Sequence, residues 1–280
     1  MEDKEMIERS GLATVLYADD TLLISVAEQS LRRLLESVAT TGARFGMELH
    51  WGKFQLLNIR CNMTVSASNG EPIAAKTSMG YLGTTLSSDG RMDSELSRRI
   101  GMAWAEYRKL ERLWKHTSLP VARKLQCFQA VVVPGLMYSL STAWLTASQS
   151  RRLNGFQARC LRRILRVSPS FISRVSNKSV LQMACHTQFT QQLLMQQLLL
   201  FGRIARSPDS DMLRDLTFIS GTLQPATGKF IRKVGRPRLE WASCVAKVAH
   251  TVVGANGNLI AAVQDAAGWR QQVHHYTRSM

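Results

Sequence analysis

Two apolar runs, Leu12 to Tyr17 and Leu22 to Ile24, flank the adjacent aspartates Asp19 and Asp20. Aliphatic and β-branched residues on both sides of a tight polar pair predict a β-hairpin with the carboxylates at its tip. From Glu28 to Phe45 the period changes: Leu31, Leu34, Leu35 and Val38 recur at helical spacing, with Arg32, Arg33 and Glu36 outside. Ser25 is the expected N-cap of this helix, and Gly42 or Gly46 its expected stop. Residues 46–59 read as two short strands around Trp51-Gly52, with Lys53 at their junction. Asn69-Gly70 predicts a hairpin turn in a Ser-, Asn- and Ala-rich stretch. Tyr81-Leu82-Gly83 reads as a strand end with a bulge glycine, followed by another short strand and a loop at 87–90.

Beyond Met92 the pattern is helical. Over 93–115, Leu96, Ile100, Ala103, Tyr107, Leu110 and Trp114 form one stripe, and the arginines and lysines lie elsewhere. Pro120 opens another helix, Pro134-Gly135 breaks it, and an apolar pattern continues from Leu136 to Leu145. Residues 151–166 bury Leu153, Phe156, Cys160, Leu161 and Ile164, and further helices are expected over 177–185 and 188–204. Pro208, Gly221, Pro225 and Gly228 mark a connector into a basic Gly-Pro segment, 229–238, and the last thirty residues read as one or two helices. The expected class is α+β, organised as 1–90, a mainly helical 91–206, and a basic C-terminal extension 207–280.

Length and composition allow one large or two modest domains, since 45% of 280 residues are apolar. The five cysteines, Cys61, Cys127, Cys160, Cys185 and Cys244, are scattered and never form C-x-x-C. This argues against a disulfide framework or a zinc ribbon and for a reducing, intracellular compartment, nucleus or cytoplasm. Cys185-His186 reads as a buried thiol and a helix-end imidazole rather than zinc ligands. The N-terminus is polar and acidic, unlike a targeting leader. The apolar stretch 130–145 is interrupted by Pro134 and Gly135, so no membrane partner is expected. The absence of HExxH, Walker A and GxGxxG argues against metalloprotease, P-loop and dinucleotide chemistry.

The charge of +16 is unevenly spread: residues 1–50 are net −4, residues 51–150 net +6, and residues 151–280 net +14. An acidic head and a basic tail point to a polyanion along the second half. Arg151, Arg152, Arg159, Arg162, Arg163 and Arg166 crowd one helix without an acid, which favours a phosphate-binding face. Arg232, Lys233, Arg236 and Arg238 form a second basic run, able to track a nucleic-acid backbone or serve as a localisation signal.

The acidic head carries different chemistry. Adjacent carboxylates repel, and a divalent cation relieves the repulsion; Mg²⁺ takes carboxylate oxygens together with substrate phosphates. Tyr17-Ala18-Asp19-Asp20 between two apolar strands resembles motif C of the reverse-transcriptase palm. Gly46-Met47-x-Leu49-x-x-x-Lys53 resembles motif D, although Phe54 departs from the small residue usual there. Tyr81-Leu82-Gly83 resembles motif E. In that order, the three resemble a reverse transcriptase (RNA-directed DNA polymerase) of a non-LTR, LINE-type retrotransposon. The resemblance implies a partial palm over 1–90, a helical thumb-like region over 91–206, and two-metal nucleotidyl transfer. It implies Asp19 and Asp20 as Mg²⁺ (or Mn²⁺) ligands, Lys53 near the triphosphate, and Tyr81, Leu82 and Gly83 as primer grip, with an RNA template and a DNA primer as partners. A palm also needs a motif A aspartate and fingers, so the chain is expected to be a C-terminal portion, inactive alone. The alternative is a non-catalytic RNA- or DNA-binding helical protein that keeps a palm remnant.

Overall fold

A computed structural model describes residues 14–25, 27–59, 61–67, 70–226, 239–254 and 257–280. These fall into two compact units, residues 14–94 in one and residues 95–226 with 239–280 in the other. The first is a set of small sheets around one helix; the second is helical. Helix and small sheets together are compatible with an α+β chain.

In the first unit β1 (Thr14–Tyr17) pairs antiparallel with β2 (Asp20–Leu23), Tyr17 facing Asp20 and Thr14 facing Leu23. The turn is the two residues Ala18 and Asp19, and Ala18 takes φ +51°. Helix α1 (Glu28–Ala43) follows and buries Leu35. Its N-cap is Ala27, not Ser25; the Ser25 hydroxyl, two residues before that cap, instead accepts from the Ala27 N–H at 3.1 Å. At the other end the Met47 N–H returns to the Gly42 carbonyl, and Gly46 at φ +71° turns the chain.

The expected strand pair around Trp51-Gly52 does not form. Trp51–Lys53 is a single 3₁₀ turn, and only β3 (Leu56–Leu57) is extended, pairing parallel with β4 (Ala75–Lys76). Trp51 folds onto Phe54, ring centroids 5.0 Å apart, which a continuous strand would prevent. Gly70 is described and Asn69 is not; around them Ser66 bridges Pro72 in antiparallel sense. β5 (Ser78–Tyr81) and β6 (Thr84–Ser87) form a second hairpin. Its turn is Leu82-Gly83, with φ +46° and +71°. Two central residues with positive φ match the twist of a tight hairpin, and glycine supplies one of them without steric cost.

The second unit begins within α2 (Asp93–Lys115). Leu96, Ala103, Tyr107 and Trp114 are buried along its stripe. After Pro120 caps α3 (Val121–Cys127), the helix widens into a π turn at Phe128–Val132 before α4 (Val133–Met137). Pro134 therefore does not break the helix: it sits in the first turn of α4, where its missing N–H costs nothing, and the π turn absorbs the register change. Helix α5 (Ala147–Leu165) starts with a capping box in which Thr146 and Gln149 satisfy each other's backbone N–H. A short turn of helix, α6 (Ser170–Ser173), leads to α7 (Asn177–Met183) and the long α8 (Phe189–Arg206).

Tyr107, Phe128, Phe156 and Phe189 are fully buried where α2, the π turn, α5 and α8 meet. Tyr107 meets Phe128 edge to face, Phe128 stacks on Phe189 at 6.1 Å, and Phe156 meets Trp104 edge to face at 5.0 Å. Inside the α5–α8 seam the buried Gln157 amide donates to the Thr187 carbonyl and accepts from the Phe189 N–H, so a polar core side chain caps α8.

Beyond α9 (Met212–Thr217), α10 (Trp241–Val253), α11 (Leu259–Gln264) and α12 (Ala266–Ser279) pack on α8 around Phe201, Val245, Val263 and Trp269. Trp269 donates its indole N–H to the Leu198 carbonyl at 3.0 Å. A Cβ on Gly202 would lie 2.3 Å from that nitrogen, so only glycine admits the close approach. No helix among the described residues is long and apolar enough to cross a membrane.

Candidate functional site

Within the first unit a cleft of about 720 Å³ is walled by β2, Lys53 to Ile59, Met79 to Tyr81 and the inner face of α1. Asp19, Asp20, Lys53 and Tyr81 all line it, so the tight turn, the 3₁₀ turn and the second hairpin converge. Most of the remaining lining is apolar, including Leu22, Leu31, Leu56 and Met79.

Each polar group arrives by a different local device. Asp19 sits inside the two-residue turn and Asp20 opens β2, both exposed. Holding Ala18 at positive φ costs about 1 kcal/mol for a residue with a Cβ. Such a conformation persists only where the paired strands impose it, and it holds the two carboxylates together at the end of the hairpin. Lys53 ends the 3₁₀ turn, its N–H bonded to the His50 carbonyl at 2.9 Å. Tyr81 closes β5, while Leu82 and Gly83 form the turn itself rather than a strand. The Tyr81 hydroxyl is buried without a hydrogen-bond partner among the described residues. A buried hydroxyl normally finds one, so this donor is available to something else in the cleft.

Two aspartates are hard oxygen donors of the kind Mg²⁺ prefers, and Mg²⁺ commonly uses one or two carboxylates with substrate phosphates. Among the described residues no three His, Cys, Asp or Glu side chains stand together. The donor chemistry thus fits a divalent cation, whereas the donor number does not make an all-protein cage.

The arginines of α5 divide into three roles. Arg151, Arg152 and Arg159 line a groove of about 410 Å³ between α2 and α5, with Ile100, Ser148 and Gly155. Arg152 donates to the Ser97 hydroxyl at 2.6 Å, and Arg159 lies over the Trp104 ring at 5.6 Å. Arg163 also lies over Trp104, at 5.5 Å, and pairs with Glu111 across the helices at 3.2 Å.

Arg162 departs from the sequence expectation. It is 7% exposed, and its guanidinium donates to the Ser168 carbonyl at 2.9 Å, the Val175 carbonyl at 2.6 Å, and Asn177 Oδ1 at 3.0 and 3.3 Å. It clasps a loop and cannot also face phosphate. Arg166 is the left-handed C-cap of α5 and is exposed. Arg232, Lys233, Arg236 and Arg238 lie outside the described residues.

Cys185 is exposed at φ +52°, not buried, because it ends α7 in a left-handed turn. His186 beside it is half-buried against Phe128, and burial holds its imidazole below the ordinary range. Burial pushes the Cys160 thiol far up, which removes it as a nucleophile.

One signal went unread in the sequence. From Arg112 to Pro208 there is no Asp or Glu against 14 Lys and Arg, so nearly the whole middle of the helical unit is acid-free.

Residues 3–86, which include every residue lining the cleft, match the family model described as reverse transcriptase (RNA-dependent DNA polymerase). An uncharacterised transposon-derived protein of Caenorhabditis elegans is 25% identical over 143 residues, 48% of this chain and 49% of its own length. The chain therefore spans about half the length of that relative. No solved structure matches. The segment that builds the cleft is thus similar to reverse transcriptases.

Proposed function

We propose that this chain is a portion of a reverse transcriptase of the non-LTR, LINE type. In this reading residues 14–87 are a partial palm and the helical unit is a thumb-like nucleic-acid holder. The observation that carries it is the convergence of Asp19, Asp20, Lys53 and Tyr81 on one cleft inside the segment matched by the family model. Asp19 and Asp20 would hold Mg²⁺ or Mn²⁺, which when bound supplies charge neutralisation at the transferring phosphoryl group. Lys53, which lines the same cleft, would meet the triphosphate. The Tyr81 hydroxyl, without a hydrogen-bond partner among the described residues, would orient the end of a primer. Arg151, Arg152 and Arg159 would grip template and primer phosphates in the α2–α5 groove.

Two carboxylates without a third among the described residues predict that the chain alone does not extend a primer. The test pairs two measurements on the full chain. The first is Mn²⁺-induced broadening of NMR signals with a deoxynucleoside triphosphate present, expected around residues 17–22 and 53 and lost in Asp19→Asn with Asp20→Asn. Broadening centred elsewhere would refute the metal assignment. The second is primer extension on RNA and DNA templates; template-directed incorporation abolished by Asp19→Asn would make the chain a complete polymerase.

A second reading, a non-catalytic nucleic-acid-binding protein, is favoured by the acid-free span 112–208 within the helical unit, which needs no metal. It predicts binding that Asp19→Asn and Asp20→Asn leave unchanged and no Mn²⁺ broadening at the turn. In either case Arg151, Arg152 and Arg159 changed to Gln should flatten the slope of log K against log salt by roughly two to three.

A further inference from the structure

We infer that the loop between α5 and α7 is a wedge that inserts Phe171 and Ile172 against an unpaired base or the open end of a nucleic-acid duplex. The inference rests on the nucleic-acid-holding role proposed for the helical unit, and is independent of the metal site.

Phe171 and Ile172 are 72% and 64% exposed, side by side on the short helical turn α6. Exposed apolar residues are ordinary in themselves; what sets this pair apart is the fixed loop that presents it and the charge around it. The loop is fixed from below. Arg162 donates to the carbonyls of Ser168 and Val175, so a single buried guanidinium clasps both ends. Ser173 Oγ donates to the Ser168 carbonyl at 2.9 Å, and the Ile172 and Ser173 N–H groups both return to Pro169. Arg166 and Arg174 bracket the segment, each at φ +56°, a left-handed conformation that a residue with a Cβ adopts only under constraint.

Charge decides among possible occupants. Arg166, Arg174 and Lys178 are exposed around the pair, and no acidic residue occurs anywhere from Arg112 to Pro208. An aromatic platform beside unbalanced cations is the chemistry that binds nucleic acid without reading sequence: the ring stacks on a base, and the cations meet flanking phosphates. Apolar side chains presented this way also separate base steps. A closed duplex offers no free base face to such a tip; a fork, an overhang or a single strand does.

The experiment is an anisotropy titration of the full chain at fixed salt. Three labelled probes of equal length are used: a closed dumbbell duplex, a fork and a single strand. The wild-type chain is expected to bind the fork and single strand more tightly than the dumbbell, by roughly fivefold to a hundredfold if one base stacks. Phe171→Ser with Ile172→Ser should erase that preference while keeping dumbbell affinity, salt slope and melting temperature, because both side chains are exposed. Phe171→Leu, which keeps bulk but loses the ring, should retain only part of the preference. Equal behaviour of wild type and double variant on all three probes would overturn the wedge, as would an equal loss on all three. Failure of the wild type to bind even the dumbbell would sink the nucleic-acid role of the unit itself, and the wedge with it. Flotation with anionic vesicles that the double variant loses, without any preference for the fork, would reassign the tip to lipid and overturn the inference.

Discussion

Arg162→Gln is the sharpest test of the structure, because sequence and structure assign that arginine opposite roles. In the fold its guanidinium makes four hydrogen bonds while 7% exposed. Hydrogen bonds to a charged group contribute about 1.5–3 kcal/mol each, and neighbouring ones do not add fully. Glutamine reaches at most one of the acceptors, so the loss is set at about 3 kcal/mol. In a unit of this size that lowers Tm by roughly 6–12 °C. Arg163→Gln provides the contrast. Its partner Glu111 is reached at the rim, where exposed pairs contribute about 0–1 kcal/mol, so Tm should move by a few degrees at most. The assays are thermal melts by circular dichroism and salt titrations of nucleic-acid affinity on both variants. Amide exchange should show residues 167–175 opening in Arg162→Gln. An Arg162→Gln chain that melts with the wild type but has a flatter salt slope would refute the clasp and restore Arg162 as a phosphate ligand.

Three further outcomes are expected. Gly202→Ala forces a Cβ into the Trp269 indole and should cost about 2 kcal/mol despite alanine's better helix propensity, lowering Tm by roughly 4–8 °C; an unchanged Tm would show that the contact relaxes. His186 is held below its ordinary range by burial, so below a pH of about 6.5 the unfolded chain binds more protons than the folded one and stability falls with acidification. Urea midpoints at pH 8 and pH 5 should therefore differ less in His186→Gln than in the wild type, and an equal difference would discount the imidazole. Asp19→Asn and Asp20→Asn, at an exposed turn, should each change stability by no more than about 0.5 kcal/mol in EDTA melts; a large loss in either would make that carboxylate structural.

The long helices were legible because periodicity reports burial directly: the stripe from Leu96 to Trp114 defines α2, and Leu153, Phe156, Cys160 and Ile164 define the inner side of α5. The first hairpin was legible from its polar pair. The strand expected near Trp51 failed because a local ring contact with Phe54 outweighed strand propensity over so few residues. Arg162 was misplaced for another reason: on the helix it is one residue from the solvent-facing Arg163, and only the returning loop 168–177 turns its position inward. Helix α10 is masked in the sequence because the basic Gly-Pro run before Trp241 carries no helical periodicity into Val245 and Ala249. The convergence of Asp19, Lys53 and Tyr81 is tertiary; motif order pointed to it, but no pattern along the chain fixes a cleft.

The acid-free span from Arg112 to Pro208 also makes salt a two-handed variable for this protein. Helices that carry only one sign of charge repel across the unit at distances within the Debye length, about 8 Å in physiological salt. Added salt therefore relaxes that repulsion and firms the fold, while the same salt displaces a bound polyanion. On the proposed reading, a nucleic acid would do for the folded unit what salt does, selectively for the native arrangement of cations, and occupancy and stability would be linked. On the proposed reading, the chain without a polyanion is the less stable partner of the pair, its unbalanced cations screened by salt alone.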